Sequence, residues 1–168
     1  MAVTLKSCAL LVDVRSVVKD GLDLSSAEDA LPLLKNFAFA NGSGDDQAHE
    51  HWHDERSLNA ATAETLDLTA LAGGAFGRVV NFTDVRAILV VNTSNNGDLE
   101  IGAAASNIWE PFVKTTGDIA LVKKSGLWLW VAPKDATGVV DGTHKSLKVN
   151  NAAGSAQTYR IWILGTTS

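Results

Sequence analysis

The stretch RAILVVNTSNNGDLEIGAA, residues 86 to 104, sets the architecture. Its opening run, Ala87 to Val91, holds no polar residue, so it reads as a strand covered on both faces and central in its sheet. Asn96-Gly97 then marks a reversal, because both residues tolerate positive φ, and Leu99 and Ile101 resume the alternation of apolar and polar positions. These residues predict a hairpin over 86 to 104. Working outward, the same punctuated pattern recurs in TLDL (65 to 68), DIALV (118 to 122), GLWLWVA (126 to 132), SLKVN (146 to 150) and YRIWILG (159 to 165). Short strands at this spacing, most of them bounded by Gly, Asn or Asp, predict an all-β sandwich or barrel.

Size and composition fit one such domain. A chain of 168 residues buries roughly 70% of the surface that its unfolded form exposes. Its 46% hydrophobic and 20% charged content argue against long-range disorder. The net charge of −5 supplies no basic field for phosphates, so nucleic acid is not an expected partner. The lone Cys8 cannot close an intramolecular disulfide, which fits folding in a reducing cytoplasm. The start MAVTLKSCALLVDVRSVV is interrupted by Asp13 and Arg15 and lacks a small-residue cleavage pattern, so it makes a poor signal peptide. No stretch approaches the ~18 consecutive apolar residues of a membrane-spanning helix, so a membrane is not expected either.

Upstream of the ladder, Cys8, Leu10, Val12 and Val14 alternate with Ala9, Leu11, Asp13 and Arg15, the pattern of a strand that can pair as an arm. Ser25-Ser26-Ala27-Glu28 has the form of a capping box, but Pro32 limits any helix there to a single turn. NFAFA (36 to 40) is a short strand with Phe37 and Phe39 on one face, and the polar turn NGSGDD (41 to 46) follows it. The division expected is an extended arm over residues 1 to 35, with at most that one helical turn, and a β-sandwich over 36 to 168. The segment 104 to 112, with Trp109 and Pro111, is the longest irregular connection and is expected to fold over an open edge or end.

Three features invite a chemical reading. If HEHWHDERSL (49 to 58) is extended, His49, His51, His53 and Glu55 share a face and could converge on a metal ion. His49-x-His51 followed by Glu55 resembles the core of the first cupin motif and implies a metal-binding enzyme as an alternative function. Ser43 and Thr62 stand where that motif has glycine, however, and His144 lacks the surroundings of the second motif. A solvated strand edge explains the same histidines. Cys8 lies in an apolar run where a thiol is inert, and GGAFG (73 to 77) has neither the lysine nor the spacing of a phosphate loop.

The tryptophans are the third feature. Trp128 and Trp130 share one strand face, and Tyr159, Ile161 and Ile163 share another, opposite Arg160, Trp162 and Leu164. Both faces of these two strands are therefore apolar, more than a monomer with one solvated sheet face requires. Trp109, Trp128, Trp130 and Trp162 are thus candidates for the core or an oligomer contact. A stacking platform for a glycan, in a sandwich associated with a phage tail or neck, is the competing function.

The stretches 52 to 112, LWLWVAPKDATGVVDGTHKSLKVNNAAG (127 to 154) and TYRIWILG (158 to 165) together resemble a family of small tailed-bacteriophage head decoration, or cement, proteins. The resemblance rests on Leu66-Asp67-Leu68, Ala75-Phe76-Gly77, the strand leading to Asn92, Ile101-Gly102-Ala103, Pro133 to Val140, Leu147-Lys148-Val149 and Ile163-Leu164-Gly165. It implies an antiparallel jelly-roll sandwich that assembles as a homotrimer on the capsid and ties neighbouring major capsid protein subunits together. It carries no catalytic residue, no cofactor and no metal. It implies synthesis in the host cytoplasm and residence in the virion, with the N-terminal arm as a tether to the shell or to an adjacent subunit.

Overall fold

The computed structural model describes residues 5–21, 26–74 and 77–168. Eleven strands follow one another: β1 (Cys8–Gly21), β2 (Ser26–Asn41), β3 (Gln47–Ala48), β4 (Glu50–Leu58), β5 (Thr62–Asp67), β6 (Phe82–Asn92), β7 (Leu99–Gly102), β8 (Ile119–Val122), β9 (Leu127–Val131), β10 (Ser146–Asn151) and β11 (Gln157–Thr167). From β4 onward the pairing is nested: β4 with β11, β5 with β10, β6 with β9 and β7 with β8, all antiparallel. Further pairing of β11 with β6 and of β10 with β7 joins these into two four-stranded sheets, β4-β11-β6-β9 and β5-β10-β7-β8. A long hairpin rolled over on itself produces this nesting, and the result is a jelly-roll-like antiparallel sandwich.

Alternation decides what lies between the sheets. Ile88 and Val90 on β6 and Tyr159, Ile161 and Ile163 on β11 face Leu66, Leu99, Ile101, Leu147 and Val149 of the other sheet in one buried cluster. Leu66 and Leu68 point inward around the half-exposed Asp67, as their spacing predicts. Along the β4 and β5 edge, Glu64 holds the two sheets together: Oε1 accepts from the Tyr159 hydroxyl at 2.7 Å and Oε2 from Arg56 Nε at 2.7 Å. Burial, reinforced by the Glu64 carboxylate, pushes the Tyr159 phenol far above its ordinary pKa and keeps it a neutral donor.

The hairpin predicted over 86 to 104 does not form. β6 is central in its sheet, between β11 and β9, whereas β7 joins the opposite sheet between β10 and β8. The Asn-Gly reversal therefore crosses the sandwich. Buried amides fix that crossing: Asn92 Nδ2 donates to the Gly97 carbonyl at 2.8 Å, and Gln157 Nε2 donates to Asn151 Oδ1 at 2.7 Å and to the Asp98 carbonyl at 3.3 Å. Asn151 and Gln157 come from β10 and β11, so the local turn signal says nothing of them.

The N-terminal segment is a long two-stranded ribbon. β1 and β2 pair antiparallel from Cys8 opposite Phe39 to Gly21 opposite Ser26, and β3 adds a short parallel pairing at the base. Residues 26–31 are strand, so they hold no helical turn; Ser25 lies outside the described residues. β2 also runs through the arm boundary expected at 35/36, and NFAFA belongs to the ribbon. Pro32, opposite Arg15, is accommodated because each strand of an isolated ribbon has a free edge that needs no N–H donor.

Candidate interaction surface

The outer face of the β4-β11-β6-β9 sheet is built in three cross-strand rows. His51, Leu164, Ala87 and Val131 form the first, His53, Trp162, Leu89 and Leu129 the second, and Glu55, Arg160, Val91 and Leu127 the third. The ribbon's base covers the first row, where Phe39 packs with Ala48, Ala87 and Leu164, flanked by Cys8, Phe37, Val131 and Trp162. Burial raises the pKa of the Cys8 thiol there, which leaves it a packing group. The other two rows are open. Leu127 is 65% exposed, and Leu89, Leu129, Val91 and Trp162 are half-buried. A shallow depression of about 330 Å³ has Leu89, Val91 and Trp162 as its floor and His53, Glu55 and Arg160 at its rim.

Above its base the ribbon is uncovered on both sides. Residues 13–19 and 28–36 are exposed throughout, including Val14, Val17, Val18, Leu31, Leu33 and Leu34. Its direction is set by a latch at the turn that follows it. Arg86, completely buried, donates from Nη2 to the Ser43 carbonyl at 2.8 Å and to Asp135 Oδ1 at 2.9 Å, and from Nη1 to the Lys134 carbonyl. Asp84 Oδ2 lies 3.2 Å from Nη1 and also accepts from the Ala136 N–H at 2.7 Å, while Oδ1 accepts from Gly138 N–H at 2.9 Å. Asp46 N–H donates to the Pro133 carbonyl at 2.7 Å, and Asp135 N–H to Asp45 Oδ1 at 2.9 Å. The turn at 42–46 is thereby stapled to the loop at 133–138. Sequence reasoning missed Arg86 and Asp84; the signal was a charged residue at the mouth of the apolar run 87 to 91.

The residues of the histidine face are not gathered into one ligand set. His49 precedes β4, and its Nε2 accepts from the Thr167 N–H at 2.9 Å, so Nδ1 carries the proton and donates to the Gly42 carbonyl at 3.3 Å. Both of its nitrogens are occupied. His51 and His53 stack with ring centroids 5.8 Å apart, and Glu55 accepts from Arg160 Nε at 2.7 Å. Among the described residues no group of three or more His, Cys, Asp and Glu is arranged to hold a metal ion. The cupin-like expectation thus loses its geometry.

The tryptophans divide. Trp109 is 1% exposed, with Nε1 donating to the Gly138 carbonyl at 3.2 Å, and it stands edge-on to Trp130 with centroids 5.3 Å apart. Phe112 meets Trp128 edge-on at 4.8 Å. These rings pack together beside the edge strand β9, so Trp109 is a core residue, and Trp128 and Trp130 turn inward against the core. Trp162 alone of the four lies on the outer sheet face.

A second depression, of about 380 Å³, has Trp109 and Pro111 at its floor and Thr116, Thr137, Asp141 and His144 at its rim. Asp141 Oδ1 and Thr143 Oγ1 both approach the same imidazole nitrogen, Nδ1 of His144, at 3.2 and 3.1 Å. A nucleophile relay needs its two partners on opposite ring nitrogens, so this trio is a turn and not a triad.

No family model matches the sequence, and no curated protein matches it significantly. Among solved structures it is similar, at 9% identity and a TM-score of 0.15, to an unassembled mutant VP1 pentamer of Washington University Polyomavirus, over 98% of this chain and 94% of that one. A TM-score so low carries no argument about fold or function.

Proposed function

We propose that this protein is a virion structural protein of a tailed bacteriophage, a head decoration protein that binds the outer surface of the major capsid protein shell. The observation that carries the reading is a filled jelly-roll core beside two uncovered apolar surfaces, the outer sheet face and the ribbon. A chain whose interior is already satisfied gains nothing from such surfaces alone; they belong to contacts with other molecules. The family resemblance of the strand and turn patterns supplies the kind of contact. Several copies joined as a trimer would bind the shell multivalently, each weak contact raising the effective concentration of the next. No catalytic step, cofactor or metal enters the proposal.

Co-sedimentation with shells assembled from the major capsid protein of the encoding phage tests it. Saturable binding at a fixed ratio to capsid subunits, with a rise in the shell's melting temperature, is expected. Protein that stays in the supernatant at every concentration overturns the reading.

A further inference from the structure

We propose that the apolar face of the β1–β2 ribbon of one copy packs on the open outer face of the β4-β11-β6-β9 sheet of a second copy. The cross-strand register puts Leu10 with Phe37, Val12 with Lys35, Val14 with Leu33, Ser16 with Leu31 and Val18 with Asp29 on one side of the ribbon. Val14 is 49%, Leu33 54% and Leu31 63% exposed on that side. The other side intersperses Leu11, Val17 and Leu34 with Asp13, Arg15, Lys19 and Glu28, which form the ion pairs Arg15–Asp13 (2.9 Å) and Lys19–Glu28 (3.2 Å). The ribbon therefore has a face to bury and a face that water can keep.

The acceptor is identified by what the base of the same face already touches. Phe39, Phe37 and Cys8 sit on the first row of the sheet, against Leu164 and Ala87, and rows two and three continue that surface uncovered. A chain cannot cover these rows with its own ribbon. Leu10 to Val18 spans about 26 Å at about 3.3 Å per residue, and this length continues beyond the base as a continuously paired ladder. Folding it back would break the register that forms it. A second copy's ribbon has the apolar side chains and the length to lie across the rows. Donor and acceptor are different surfaces of one chain, so the contact is heterologous and closes as a ring or as a reciprocal exchange of ribbons.

This inference gives the oligomer of the proposed function its contact surfaces, yet it concerns the free protein, so shell binding and self-association can fail separately. Light scattering coupled to size exclusion on the full chain at micromolar concentration should give a discrete multiple of the 17.7 kDa chain mass. Val14→Asp with Leu33→Asp on the donor, or Leu127→Asp with Leu129→Asp on the acceptor, should each reduce it to one chain. Circular dichroism should show the sandwich retained in both. Leu121→Asp, at a 45% exposed position on the opposite sheet, should leave the oligomer intact. Mixing donor-defective with acceptor-defective chains should restore a one-to-one complex, which general damage to either variant would not allow. A monomeric wild type overturns the inference, as does an oligomer that survives either pair of substitutions. So does a ribbon that gains amide protection only when shells are added, which would assign the surface to the capsid.

Discussion

At Gly138 a methyl group would lie 2.1 Å from the Val85 carbonyl oxygen and 2.9 Å from Trp130 Cη2. Gly138→Ala must therefore push the 133–138 loop off β6, and a cost of about 1–3 kcal/mol is expected from urea midpoints. Gly165 is similarly confined: its added Cβ would meet the Asp84 carbonyl at 2.3 Å, beside the irregularity that shifts the β11–β6 register. Arg86→Met leaves Asp84 and the Ser43 and Lys134 carbonyls without their cation. About 3–5 kcal/mol of stability should go with it, the range for breaking a buried charge pair by removing one partner. These positions were poorly legible in the sequence for one physical reason. The backbone that confines each glycine and the carbonyls that hold the buried guanidinium come from distant parts of the chain, and no local pattern encodes them.

Among the elements, the ribbon is the separable one. Only its base is buried, around Phe39, so Phe39→Ala should loosen the ribbon without unfolding the sandwich. Hydrogen exchange is the measurement: amides of β1 and β2 should speed up while those of β6 and β11 keep their protection. Equal loss of protection in both regions would make the ribbon part of the core's cooperative unit. The sandwich strands themselves were legible because burial on one face imposes a period of two. Tyr159, Ile161 and Ile163 inward and Arg160 and Trp162 outward follow from it; the unbroken apolar run Ala87 to Val91 is central in its sheet, as expected, but leaves Leu89 and Val91 half-exposed on the outer face instead of covered on both. The element that misled was Asn96-Gly97, which states that the chain reverses and leaves open which sheet receives the next strand. The Ser-x-x-Glu sequence allowed one helical turn at most, and residues 26–31 instead pair as strand in the ribbon.

For the molecule as a whole, the surface carboxylates set the response to acid. The Thr143 hydroxyl and backbone hold Asp141 below the usual carboxylate range, Lys123 does the same for Asp98, and the Asp135 N–H for Asp45. Groups depressed in the folded state add stability that is present above their unfolded pKa, about 4, and is lost as pH falls through their folded values. Asp84 opposes them, because burial raises its pKa and its ionised form is the one the fold disfavours. Thermal midpoints should be level near neutrality and fall in acid. Asp141→Asn should lower the neutral midpoint and flatten the acid limb; an unchanged limb would mean that the Asp141 turn is not formed in solution.

The proposed head-decoration role is tested most directly by a cryo-EM map of phage particles assembled in the presence of this chain. Density for eight-stranded sandwiches on the outside of the head, with the two-stranded ribbon and the Trp162 sheet face buried in contacts, is the result predicted. A head surface without such density, in particles whose protein content includes the chain at another location or lacks it altogether, would contradict the account.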